Sequence, residues 1–382
     1  MFIRRRRTFL DLLDRSAGRA SGFDYMRLAL AAAIICVHSV MCSYGQAAQD
    51  VILRSPWGRP FELLVPMFFA LSGFLVAGSW ERCRSMISFL GLRVLRIFPA
   101  LTFQVVLSAF IIGPIFTTVS LGAYFASPQL RTFLLNMIGW PQFLLPGVFW
   151  QNPDHAVNGQ IWTVPWELGC YGVLTALAVL GLLRNRFLLL ACLGLVQAYV
   201  AYHGFLMPHN DSLGLSGPLI GLCFMWGMVI YRFRDRLWAS DGLAVAMLVL
   251  AIGLLMLKDG KYVAPIPIAY FTVRLGLFNP PKPTRLWGDY SYGLYIFGYP
   301  IQQAVANTPA LREWWINIAI GLPVALVVAF CSWHLLEKQA LSLRGRLLDL
   351  EGLLLRAAAR RRRPVQGAVV RQGEAELVEG PG

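Results

Sequence analysis

The chain has 382 residues, 57% of them apolar and only 14% charged, with a mean hydropathy of +0.57. So few charges cannot cover the apolar surface of water-soluble domains of this total size, and the apolar residues fall in blocks of roughly 16 to 23, the length that crosses hydrocarbon. The net charge of +14, from 34 Lys and Arg against 20 Asp and Glu, is placed between those blocks and in two Arg-rich tails, which the positive-inside rule explains without nucleic acid as a partner.

The first 22 residues are basic and polar with no apolar core, so they read as a cytoplasmic tail and not as a signal peptide. Ten spans follow, at 25–44, 63–78, 97–119, 161–183, 187–207, 215–231, 242–257, 262–278, 290–305 and 314–336. Each must be helical, because hydrocarbon offers the backbone no other partner. With both termini inside, 27 of the 34 Lys and Arg lie on the cytoplasmic side. A further apolar stretch, 133–149, would invert everything downstream if it crossed. Pro141, Pro146 and Gly147 mark it instead as interfacial or re-entrant, leading into a polar outer loop from Gln151 to Gln160. The expected fold is therefore an all-α, polytopic integral membrane protein of about ten transmembrane helices. Its parts are a basic N-terminal tail (1–22), a membrane domain (23–341) and a basic, disordered cytoplasmic tail (342–382). The run Arg360-Arg361-Arg362-Arg363 in that tail suits anionic lipid, or serves only as a charged stop signal.

Seven scattered cysteines without a CxxC, and five dispersed histidines, indicate neither a disulfide framework nor a metal site. Ionisable groups inside spans are costly and ask for a reason. Arg27 and His38 are eleven residues apart, about 1100° of helical rotation, so they share one face with a rise of about 16 Å. A cation at the cytoplasmic mouth and a titratable base nearer the outer leaflet thus lie on one stripe. The bland alternatives are a snorkelling anchor for Arg27 and an interhelical hydrogen bond for His38. Arg93 and Arg96, at i and i+3, present two guanidinium forks that suit a phosphate-bearing ligand or simply anchor the helix. Glu167, at the outer start of the fourth span, is counted at a depth similar to that of His38 and is a candidate to orient the imidazole or, failing that, to serve an Arg or backbone partner.

Arg27 followed after ten residues by His38 resembles the R-x10-H signature of the acyltransferase-3 family of integral membrane acyltransferases. Arg93-Val94-Leu95-Arg96 is similar to that family's RxxR. In order along the chain follow Asn158-Gly159-Gln160-Ile161-Trp162-Thr163-Val164-Pro165-Trp166-Glu167, then Ser291-Tyr292-Gly293-Leu294-Tyr295-Ile296, then His334-Leu335-Leu336-Glu337-Lys338, preceded by the block Phe68-Phe69-Ala70-Leu71-Ser72-Gly73-Phe74-Leu75. The resemblance implies transfer of an acyl group, acetyl by expectation, from cytoplasmic acyl-CoA to a hydroxyl of an extracytoplasmic carbohydrate, in a bacterial inner membrane. His38 would be the base, assisted by Glu167, with Arg27, Arg93 and Arg96 on the CoA end and no metal. Polysaccharide-assembly proteins are candidate partners. The chain departs from the pattern at Phe297-Gly298-Tyr299-Pro300, where the family often carries a histidine before the proline. Two other classes compete: a transporter of an acidic solute using the same arginines as an anion path, and a non-catalytic scaffold of a polysaccharide-assembly complex.

Overall fold

The computed structural model describes residues 7–16, 18, 20–83, 85–206, 216–279, 288–349 and 351–353. Among them the chain is helical, with two isolated β-bridges and no strand. A short α1 (Phe9–Arg15) precedes α2 (Gly22–Tyr44), α3 (Gln46–Arg54), α4 (Leu64–Arg82) and α5 (Met86–Leu107). Short pieces α6 (Gly113–Phe116), α7 (Leu121–Ala126) and α8 (Pro128–Phe133) lead to α9 (Val164–Val179), α10 (Arg186–Leu206), α11 (Gly217–Arg232), α12 (Asp241–Met256) and α13 (Pro265–Gly276). The chain closes through α14 (Ser291–Ala306), α15 (Trp314–Ser332) and α16 (Lys338–Ser342).

All ten expected spans fall on helices. Among the described residues, five runs are long and apolar enough to cross a membrane: Gly22–Tyr44, Arg59–Arg82, Met86–Phe116, Arg186–Gly204 and Trp314–Leu353. The remaining five, α9 and α11 to α14, are 16, 16, 16, 12 and 16 residues long. The bundle has an apolar core, as a water-soluble one has, but its exterior is apolar too and polar side chains are interspersed among the buried ones. Leu195 on α10, Val249 on α12 and Val327 on α15 face outward at 72%, 64% and 63% exposure, while Gln104, Asn158, Gln302, Gln303 and Asn317 are fully buried. That distribution suits hydrocarbon outside and hydrogen-bonded polar side chains between helices.

Small residues set the central contact. Gly73 of α4 and Gly227 of α11 lie against each other's helix so closely that an added Cβ would sit 1.9 Å from the Phe224 carbonyl oxygen and 2.0 Å from that of Ala70, respectively. Only glycine permits this approach of two backbones. The Gly73 noted in the sequence is thus a packing residue.

The connections keep the expected broken segment and add burial and docking that composition did not indicate. The segment 133–149 does not form a span-length helix: after α8 it turns through a 3-10 segment, Leu134–Ile138, and left-handed Gly139 into irregular backbone. The polar stretch beyond it, expected as an outer loop, packs Asn152, Asn158 and Gln160 into the bundle while Gln151 and Pro153 stay exposed. At the start of the chain, Thr8 caps α1 in a reciprocal box with Asp11, and Phe9 and Leu13 are buried. Backbone bonds from Phe9 and Leu10 to the Leu237 and Arg234 carbonyls dock this part of the N-terminal tail on the bundle. Helix continues past the expected boundary at 341, over 344–349. The Arg360–Arg363 run and the rest of the tail from 354 lie outside the described residues.

Candidate active site

A cavity of about 1750 Å³ opens into the bundle between α2, α4, α5, α9 and α14, beginning at the end where α2 starts. Arg27 from α2 and Arg93 and Arg96 from α5 all line it. The helical phase argument for the two α5 arginines therefore holds in space. Arg82, Arg234 and Arg344 join them, but so do six carboxylates, Asp14, Asp24, Glu167, Asp289, Asp349 and Glu351. The cavity has no formal excess of positive charge, so what it offers an anion depends on which guanidiniums are already engaged.

Arg27 and Arg96 are engaged. Both bond the Asp289 carboxylate, Arg96 at 2.6 Å. Ser291 donates to the other oxygen of Asp289 at 2.6 Å, and Arg96 reaches Glu337 at 3.3 Å. Glu337 is held for this by a π-helical turn, Trp333–Glu337, that interrupts the helix after α15, with Ser332 donating to it at 3.1 Å. Such one-turn insertions re-aim a side chain without ending the helix. The segments Ser291–Ile296 and His334–Lys338 thereby contribute to one charge network with the R-x10-H and RxxR arginines.

Arg93 is differently placed. Its guanidinium lies over the rings of Phe89 and Tyr171, at 5.8 Å from each, and donates to Ser79 Oγ at 3.1 Å. Its Nε is buried, and among the described residues that Nε–H has no acceptor.

The structure does not join Glu167 to His38. Glu167 accepts a short hydrogen bond from Tyr171 one turn along α9, and so sits in the cavity wall near Arg93. Equal depth along two helices placed it at the level of the imidazole, but depth does not determine the direction in which a helix turns its side chain.

His38 lies beyond the cavity. The α2 side chains that line it end at Ile34, about one turn short of the imidazole. Among the described residues no hydrogen bond reaches the His38 ring; its aromatic neighbour is Tyr299, at 5.1 Å between centroids and 82° between planes. The helix carrying His38 is itself fixed by Gln302, whose Nε2 donates to the Ile35 carbonyl at 2.9 Å and to Asn317 Oδ1 at 3.0 Å. Next to Tyr299, Gly298 leaves room for Ile35, which an added Cβ would meet at 2.7 Å. The departure from the histidine pattern thus coincides with a close approach of α14 to α2.

The block from Asn158 to Glu167 is mostly tether. Gln104 donates to Asn158 Oδ1 at 2.6 Å, Gln160 Nε2 donates to the Ile296 carbonyl at 2.5 Å, and the Tyr295 hydroxyl donates to the Gln160 carbonyl at 2.9 Å. The site residues absent from the sequence-based set are Asp289, Asp154 and Tyr299. Asp289 had a usable signal, as a carboxylate two residues ahead of the Ser291 motif. Asp154 had none.

A partly buried ion network at one end of a helical bundle thus opens onto a cavity along α2, with the His38 imidazole one turn beyond its last α2 residue. The acyltransferase domain of the acyltransferase-3 family matches residues 21–334, and the chain belongs to that family. It is similar to the O-acetyl transferase of Shigella phage Sf6, 27% identical over 87% of this chain and 99% of the relative. Nodulation protein 10 of Rhizobium leguminosarum bv. viciae is 26% identical over 88% of this chain and 97% of its own length. No solved structure matches the chain.

Proposed function

We propose that this acyltransferase moves an acetyl group from acetyl-CoA to a hydroxyl of a carbohydrate on the other side of a bacterial inner membrane, with both termini and the start of α2 in the cytoplasm and residues 23–341 as the catalytic domain. The observation that carries the reading is the cavity that gathers Arg27, Arg93 and Arg96 and runs along α2 to Ile34, one turn from His38. The phosphates of CoA occupy the arginine end, and the pantetheine arm extends the thioester past Ile34. His38 takes the proton of the acceptor hydroxyl as its oxygen attacks the thioester carbonyl; the carbon–sulfur bond breaks, and the leaving CoA sulfur receives that proton from His38, which returns to its neutral form. Glu167, bonded to Tyr171 in the cavity wall, holds that ring under the Arg93 guanidinium on the donor side and does not assist His38 directly. The O-acetyl transferase relative supports both the ester product and the acetyl donor.

The test is the mass profile of surface glycans from a deletion strain carrying wild type or His38→Ala at matched membrane expression. An added acetyl mass with wild type alone is the expected result. Equal profiles from the two overturn the assignment of His38. Movement of an acidic solute by purified protein in liposomes, without consumption of acetyl-CoA, would replace the transferase reading with transport.

A further inference from the structure

The donor cavity makes no use of Asp154, Tyr299 and Gln303, yet these residues form a closed polar assembly that ends on His38. Tyr299 on α14 is 1% exposed, and its hydroxyl donates a short hydrogen bond to the Asp154 carboxylate. Gln303, one turn further on, donates from Nε2 to Asp154 Oδ2 at 3.0 Å and to the Asp154 carbonyl at 3.1 Å. Asn152 Nδ2 in turn donates to Gln303 Oε1 at 2.7 Å and to its carbonyl at 2.9 Å. Arg312 closes the loop from outside, donating to the Gln151 carbonyl at 3.0 Å. Gly159 approaches the phenol ring so closely that a Cβ there would lie 2.5 Å from it.

The ring is therefore held at its hydroxyl by Asp154 and along its body by Gly159, and it meets the imidazole at 82°. A general base works only if its lone pair points at the proton it removes. In many sites a hydrogen bond to the second ring nitrogen supplies that orientation. No such bond is present among the described residues, so packing must supply it, and Tyr299 is the aromatic ring in contact.

We propose that Tyr299, clamped by Asp154, is the positioning residue that holds the His38 imidazole in its working orientation. The loop that carries Asp154 thereby couples the acceptor side of the protein to the base. This rests on His38 being the base, and the experiment separates the two.

Inverted membrane vesicles of a host whose glycan the wild-type chain acetylates are supplied with radiolabelled acetyl-CoA, and label in the glycan fraction is followed at equal amounts of monodisperse protein. Misorienting a catalytic group by a fraction of an ångström to an ångström costs up to about a hundredfold. On that scale Tyr299→Phe, which keeps the ring but frees it from Asp154, lowers kcat about tenfold, and Asp154→Ala matches it. Tyr299→Leu, which removes the ring, lowers kcat about a hundredfold. In all three KM for acetyl-CoA stays within about twofold, because the donor cavity is untouched. Asp154→Asn, whose amide oxygen still accepts from the phenol, recovers most of the kcat that Asp154→Ala loses. A rise in KM at constant kcat, or full kcat in Tyr299→Phe and Asp154→Ala while His38→Ala is inactive, overturns the positioning role and leaves the base in place. An active His38→Ala overturns the base itself, and the proposal with it.

Discussion

Asp289 is the most informative residue to perturb, because it pairs with both Arg27 and Arg96. Asp289→Asn keeps the shape and removes the charge. Arg96 retains Glu337 at 3.3 Å, and Arg27 retains a longer pairing with Asp24 at 3.9 Å. Stripping one partner from a fully buried ion pair costs about 3–5 kcal/mol, and an exposed pair is worth about 0–1 kcal/mol. The side chains here are 19% exposed for each arginine and 22% for Asp289, facing a large cavity, so we expect a loss between those limits, about 1–2 kcal/mol. The same change removes a competitor for the two guanidiniums. A phosphate no longer has to displace a carboxylate, and CoA binding tightens by about 1–2 kcal/mol, or roughly 5- to 30-fold. The assay is titration of the detergent-purified protein with CoA, beside thermal unfolding of the same samples. A variant that melts earlier but binds CoA more tightly supports the reasoning. One that binds CoA more weakly by a similar factor refutes it, and makes Asp289 a group that orients the arginines for the donor.

Two further expectations test the scaffold. Gly227→Val would drive a side chain into the Ala70 carbonyl, which a Cβ alone would approach to 2.0 Å. Overpacking of this kind costs about 1–3 kcal/mol or more, and a collapsed monodisperse peak in fluorescence-detected size exclusion is expected; a normal peak would show that α4 and α11 can separate. On the polar surface, Arg186 donates to both oxygens of Asp235 at 2.8 Å and holds that carboxyl below its usual range. A depressed carboxyl contributes stability above its unfolded value and loses it as pH falls through the folded one. Asp235 is 41% exposed, so the Tm difference between wild type and Arg186→Ala reflects under about 1 kcal/mol; it is present in full at pH 7 and shrinks below about pH 4. A difference that grows on acidification would reverse that sign.

What the amino-acid sequence determined by itself is whatever depends on neighbours along the chain. Helix follows from apolar blocks whose backbone has no other partner in hydrocarbon, and all ten blocks are helical. Arg93 and Arg96 line one cavity because three residues separate neighbours on one helix face, and the order of motifs was enough to identify the family. The tertiary structure decided what spans long separations. Arg96 meets Asp289 across 193 residues and Tyr299 meets Asp154 across 145, and no periodicity encodes such a meeting. Glu167 illustrates the boundary: its depth could be counted, but its partner depended on how α9 is rotated against α2 and α5, and the structure turns it to Tyr171. The loop from Gln151 to Gln160 illustrates it too. Its polar composition marked it as a loop, but which of its side chains hydrogen-bond inward, as Asn152, Asn158 and Gln160 do, was decided by the helices packed against it.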